Sequence, residues 1–281
     1  MPRVSEHQPR RKAETKHSRG TVVTIVSGKG GVGKTNLALN IGLLLQRRGV
    51  RTILLDADFD LANADILLNV TPRGDFADLL SGRRAVDEVC APAPGGLRLV
   101  CGVSGAARHN GDTYDEDAYS RAVHELKRAC DVLLVDCGAG FNAALARLAL
   151  AGDLVLLTTT PEPTAVADGY ATLKLLCSVG FAGRAAVVVN MAHSKSEAAQ
   201  VARRLARVAR DFLGLSVESL GFIPLDHHVP EAVRRRAPVC QRHPHCAATA
   251  AMKRICDELD PSRPETTAGG SLWSRVAGLF L

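Results

Sequence analysis

The sequence predicts an α/β protein: a doubly wound, mostly parallel sheet with helices on both faces. Short apolar or β-branched runs alternate with longer stretches of helical spacing from residue 21 to residue 259, the order expected when each strand is followed by a crossover helix. The run Val132-Leu-Leu-Val135 is apolar at every position, as a strand must be when both of its faces are covered. No long linker or internal repeat divides residues 21–259, so one sheet is favoured over two domains. Strands are expected near residues 21–27, 51–56, 97–101, 131–136, 153–159, 185–190 and 217–223.

The first strand, Thr21–Ser27, leads into Ser27-Gly-Lys-Gly-Gly-Val-Gly-Lys-Thr35, and Asn36–Arg48 follows with Leu37, Ile41, Leu44 and Leu45 at helical spacing. Strand, glycine-rich loop and helix in that order make a phosphate site. Gly28, Gly30, Gly31 and Gly33 let the backbone aim its N–H groups inward at a helix N-terminus, whose dipole favours anions. Lys34 then reaches the β- and γ-phosphates of a bound nucleotide and the Thr35 hydroxyl ligates Mg²⁺, with Val32 and Asn36 completing the segment around the phosphates. Lys29 is a second lysine, beyond what phosphate binding requires.

The second strand, Arg51–Leu55, runs into Asp56-Ala-Asp58-Phe-Asp60. Open α/β sheets bind ligands at the carboxyl ends of their strands, and Asp56 and Asp58 share a face if the strand continues that far. Hydrolysis of a phosphoanhydride needs a group to orient water and a carboxylate for Mg²⁺ or its waters. Asp136, at the tip of the buried strand 131–136, is a further acid for Mg²⁺, and Gly138 and Gly140 give the next turn its freedom. Val187-Val-Val-Asn190 ends a strand in an amide that either contacts the edge of a base or forms a turn.

The stretch KGGVGKT resembles the deviant Walker A motif of the MinD/ParA superfamily of P-loop NTPases. That resemblance implies that Lys29 crosses a dimer interface to touch a second copy's nucleotide, making ATP the glue of a homodimer. It also implies that Asp58 serves the attacking water, with Asp56 in support near the Mg²⁺ shell. DCGAG, residues 136–140, resembles the family's switch II, with Cys137 where Ser or Thr is expected. In such proteins the turn holding Pro224 and Asp226 flanks the base, and Asn190 ranks above both as a base contact. LLDADFDLANADILLNV, VDCGAG and TTTPEPTAVADGYATLKLL are together similar to the FlhG (FleN, YlxH) branch, whose members set flagellar number and position. Within the last of these a helix is expected to begin near Ala165, with Pro163 in its first turn and Thr160 or Thr164 as cap. The implied activity is slow, partner-stimulated ATP hydrolysis, with an FlhF-like GTPase and flagellar basal-body proteins as partners.

The net charge of +6 is uneven: residues 1–20 hold six Lys/Arg and two acids, leaving +2 for the rest. This stretch reads as a disordered basic tail able to touch anionic lipid, nucleic acid or a partner. Nucleic acid keeps a ParA-like partitioning or DNA-associated regulator as the alternative. A charged start argues against a secretory signal, and no run of 18 apolar residues is long enough to span a bilayer. Residues 260–270 read as a flexible linker. Residues 271–281 read as an amphipathic helix with Leu272, Trp273, Val276, Leu279 and Phe280 on one face, suited to weak interfacial membrane contact that pairing strengthens. The expected location is the cytoplasm, peripheral at the inner face of the membrane. Eight cysteines with no C-x-x-C pair suit a reducing compartment. Cys240, His243, His245 and Cys246 are metal-ligand types, but two of them are adjacent, and a loop with a helix cap is preferred to a zinc site.

Overall fold

A computed structural model describes residues 20–58, 63–102, 116–181 and 183–263. The predicted basic tail, except Gly20, and the predicted C-terminal helix 271–281 lie outside these residues. The strands are β1 (Thr21–Ser27), β2 (Thr52–Ala57), β3 (Ala91–Pro92), β4 (Arg98–Val100), β5 (Val132–Ala139), β6 (Leu154–Thr159), β7 (Arg184–Ala192) and β8 (Val217–Pro224). They form one sheet in the order β3-β4-β2-β5-β1-β6-β7-β8, parallel throughout except for the antiparallel β3–β4 pair. Seven strands match the expected runs; the eighth, β3, corrects that reading. It has two residues, one of them proline, too short to show any alternation.

Among the described residues the helices are α1 (Lys34–Arg47), α2 (Ala64–Leu68), α3 (Phe76–Leu80), α4 (Val86–Val89), α5 (Glu116–Arg128), α6 (Ala143–Leu150), α7 (Pro163–Ser178), α8 (Lys195–Leu213), α9 (His228–Arg234), α10 (Val239–Arg242) and α11 (Ala247–Leu259). Strand side chains alternate between faces, and the core divides accordingly. Val22 and Val26, Ile53 and Leu55, Leu133 and Val135, and Val155 and Leu157 pack with residues of α5, α6, α7 and α8. Val23 and Ile25, Leu54, Leu134, and Leu154 and Leu156 pack on the other face with α1 and α11. Burial on both sides is why these strands read as continuous apolar runs.

Helix ends follow local chemistry. The Ser194 side chain accepts from Glu197 N–H at the start of α8, and Gly214 (φ 65°) ends it with Leu215 N–H bonded back to Ala209 C=O, a left-handed stop that suits glycine. At α11 the Cys246 sulfur takes the N-cap role for Thr249 N–H. The first residues of the predicted linker are tied down: Asp260 Oδ1 accepts from Ser262 N–H and Oγ, and Arg263 pairs with Asp257 at 2.8 Å.

Candidate functional site

β1 ends at Ser27 and α1 begins at Lys34, so the intervening loop closes over the carboxyl end of the central strand, beside the point where strand order reverses. Gly31 (φ 80°) and Gly33 (φ 88°) are left-handed, a conformation L side chains rarely take. A Cβ at Gly28 would run into the main chain of Asp168 on α7, and one at Gly33 into the Asn190 amide. Ser27 Oγ donates to Lys29 C=O at 2.9 Å, and Asn190 Nδ2 donates to Val32 C=O at 2.8 Å, so the loop is pinned from both flanks. Lys34 is 7% exposed. Gly30 and Gly31 are open to solvent, while Thr35 and Asn36 are half-buried in the first turn of α1.

Asp56 and Asp136 stand opposite each other in the β2–β5 register, on the sheet face covered by α1. Both are buried, yet their surroundings differ. Asp56 accepts from the main-chain N–H groups of Asp58 (3.1 Å), Asn63 (3.0 Å) and Ala64 (3.0 Å). Burial raises its pKa and those donors pull it back. Asp56 therefore holds the ends of the segment between β2 and α2. Asp136 is fully buried and neither carboxylate oxygen has a hydrogen-bond partner. Burial, reinforced by the charge of Asp56, pushes its pKa up to about 7; Thr35 and Lys34 lie close enough to oppose this without completing a hydrogen bond. An unsatisfied buried carboxylate beside a threonine hydroxyl is the oxygen-donor chemistry that Mg²⁺ takes, so these residues fit the ion.

Strand β2 stops at Ala57, one residue short of the condition for Asp58 to share a face with Asp56, so Asp58 is placed by the turn. Its carboxylate lies over Gly138, where an added Cβ would meet Asp58 Oδ1 at 3.1 Å. The glycine at 138 thus gives the Asp58 carboxylate room that a larger residue would narrow. Gly140 (φ 80°) turns the chain after β5, its N–H donating to Ser27 C=O. Cys137 points to the opposite, apolar face, where burial raises its thiol pKa; a small apolar side chain is what that core position accommodates.

Lys29 reaches α7. Its Nζ pairs with Glu162 Oε2 at 2.7 Å and reaches Thr164 Oγ1 at 3.4 Å, with the two charged side chains 42% and 62% exposed. Sequence reasoning missed Glu162, which lies 133 residues from Lys29, a separation without any local pattern. α7 begins at Pro163, close to the expected Ala165 and with Pro163 in its first turn as expected, but its N-cap is Glu162, with no side-chain cap bond, in place of the expected threonine.

On the other flank, Asn190 Oδ1 accepts from Met191 N–H at 2.9 Å, and Met191 adopts φ 56°. Pro224 ends β8 opposite Ala192. Beside them, Met191 and Leu225 expose apolar side chains. Asp226 is only 5% exposed at its side chain. Its Oδ1 accepts from His228 N–H and lies 2.7 Å from His228 Nδ1, and its Oδ2 accepts from Ala248 N–H. Desolvation opposes ionisation, but these bonds hold its pKa well below the carboxylate range. Its side chain is thus a clamp between β8 and α11, which leaves its main chain to the turn expected beside the base. Cys240 is buried with its N–H on Asn40 Oδ1, His245 is exposed, and among the described residues the four candidate ligands at 240–246 do not gather into one group.

Comparison with known proteins agrees with this construction. Residues 23–239 match the CobQ/CobB/MinD/ParA nucleotide binding domain. The chain is 36% identical over 240 residues to the antiactivator FleN of Pseudomonas aeruginosa, covering 85% of this chain and 86% of that protein. It is 31% identical over 217 residues to the flagellum site-determining protein YlxH of Helicobacter pylori, covering 76% and 73%. The fold superposes on the septum site-determining protein MinD of Pyrococcus horikoshii, solved with Mg-ADP, with a TM-score of 0.71 at 23% identity, covering 86% and 96%. The chain belongs to the CobQ/CobB/MinD/ParA family of P-loop ATPases, in the FlhG (FleN, YlxH) branch of its MinD-like members.

Proposed function

We propose that this chain is a MinD/FlhG-like ATPase that dimerises on Mg–ATP and regulates the number and placement of flagella at the membrane. The observation that carries the reading is Asp136, a fully buried carboxylate with both oxygens unpartnered beside Lys34 and Thr35. The loop N–H groups receive the phosphates, and Lys34 neutralises them from the buried side. Thr35 and Asp136 are the groups to hold Mg²⁺, which when bound offsets charge building on the β- and γ-phosphates. Asp58 orients the attacking water while Asp56 fixes the segment that carries it. Asn190 and the Pro224 turn border the base.

Lys29 gives the pairing step. An exposed ion pair of this kind contributes about 0–1 kcal/mol, so exchanging Glu162 for a second copy's nucleotide costs little. The remaining assignments follow composition and helical spacing outside the family's span: a basic tail at 1–20, a linker over 260–270, and a helix at 271–281 too weak to hold a membrane alone, which two copies in the ATP dimer hold together. The location is then cytoplasmic and peripheral to the membrane, with an FlhF-like GTPase and basal-body proteins as partners. Consistent with peripheral attachment, no helix among the described residues is long and apolar enough to cross a membrane. In gel filtration with Mg–ATP, Asp58→Ala is expected to elute as a dimer and Asp58→Ala/Lys29→Ala as a monomer; monomers in both cases, with ATP bound, defeat the pairing mechanism.

One surface feature favours a second reading, nucleic-acid association. Arg203, Arg204, Arg207 and Arg210 are all exposed on α8, and such a stripe attracts phosphate backbones. A salt-dependent shift of duplex DNA that disappears in Arg203→Ala/Arg207→Ala supports it; no shift at low salt removes it.

A further inference from the structure

The turn after β8 gathers histidines that the nucleotide site does not use. His227 and His228 have ring centroids 4.0 Å apart, and His243, at the end of α10, lies 4.4 Å from His228. Side-chain ligand atoms of Asp226, His227 and His228 lie within 4.8 Å of one another, and among the described residues no other trio of such side chains comes this close. His243 Nε2 is buried without a hydrogen-bond partner, 3.5 Å from Glu231 Oε2.

The cluster sets a nitrogen and an oxygen donor side by side: His228 Nδ1 lies 2.7 Å from Asp226 Oδ1, and an ion bound by both takes the place of the proton between them. Imidazole nitrogen with one carboxylate oxygen suits zinc-class ions better than Mg²⁺ or Ca²⁺, which take oxygen sets. Zinc bonds of about 2.0–2.1 Å put tetrahedral donors ~3.3 Å apart, so closure needs Asp226 and His228 to part slightly from 2.7 Å and the exposed His227 ring to swing in.

We propose that Asp226, His227 and His228, covered by His243, form a binding site for a divalent ion of the zinc class, separate from the Mg²⁺ position at Asp136. Asp226 already joins β8 to α11 through Ala248, so an ion here braces the turn two residues beyond Pro224, on the base side of the crevice. The full chain, stripped with EDTA and free of nucleotide, is titrated with Zn²⁺ against a chromogenic chelator and with Co²⁺ by visible absorption. One ion per chain is expected, with cobalt bands of nitrogen ligation and affinity at least tenfold lower in His228→Asn and in His227→Asn. Both variants are checked for native circular dichroism, and His227→Asn should retain ATP affinity, which separates failure here from failure of the nucleotide reading. Absence of saturable binding, or unchanged affinity and cobalt spectrum in folded His227→Asn and His228→Asn, overturns the site.

Discussion

The two ends of the nucleotide crevice treat buried polar groups in opposite ways. At the phosphate end, both oxygens of Asp136 and the hydroxyls of Thr158 and Thr160 at the end of β6 lack partners. At the other end, where we place the base, the polar groups are mostly paired: Asn190 bonds Val32 and Met191, and Asp226 bonds His228 and Ala248, with His243 Nε2 alone left unpartnered among the described residues. A buried polar group left unpaired costs about 1–3 kcal/mol. The phosphate end is therefore kept ready for a ligand at the expense of stability, while the base end is part of the frame. Substitutions at the two ends should move stability in opposite directions.

The largest effect is expected for Lys34→Ala, which removes the buried ammonium from the loop: ATP affinity by calorimetry should fall at least ~100-fold, about 2.7 kcal/mol, with the fold intact. At the base end, Asp226→Ala should lower the urea unfolding free energy by roughly 3 kcal/mol, since two N–H donors and the His228 ring lose a charged acceptor. Asp136→Asn should act oppositely, raising the stability of the nucleotide-free protein by about 1–3 kcal/mol. The same sign for both substitutions would break the comparison.

The pH dependence sharpens it further. Asp136 has a folded pKa of about 7, above the roughly 3.9 of an unfolded aspartate. Between those values the folded state holds the extra proton, so stability without nucleotide falls as pH rises from about 4 to about 7. Over the same range Mg²⁺-dependent ATP binding should strengthen, because the ion takes the ionised form. Thermal unfolding of wild type and Asp136→Asn across this range should differ by that slope. The smallest effect is expected for Glu162→Gln, where losing an exposed pair should change stability by under ~1 kcal/mol while lowering the protein concentration needed for the ATP dimer in gel filtration.

How much of this was legible in the sequence follows from chain distance. The loop of residues 27–35 and Asp136 announce themselves because each is contiguous with the strand that carries it. Strand order, by contrast, rests on crossovers, and β3 is too short for any pattern. The partners of Lys29, Asn190 and Asp226 lie 133, 158 and 22 residues away, so only the fold brings them together. Cys240, His243, His245 and Cys246 looked like one cluster by proximity in sequence, yet Cys240 faces α1 and Cys246 caps α11, while His243 joins His228 from the preceding turn.

The central claim is that the unpartnered Asp136 makes nucleotide binding depend on Mg²⁺. Calorimetric titration of ATP with and without Mg²⁺, in wild type and in Asp136→Asn, tests it most directly. Mg²⁺ should tighten ATP binding at least ~10-fold, about 1.4 kcal/mol, in wild type and leave Asp136→Asn nearly unchanged. Equal enhancement in both proteins would contradict the account.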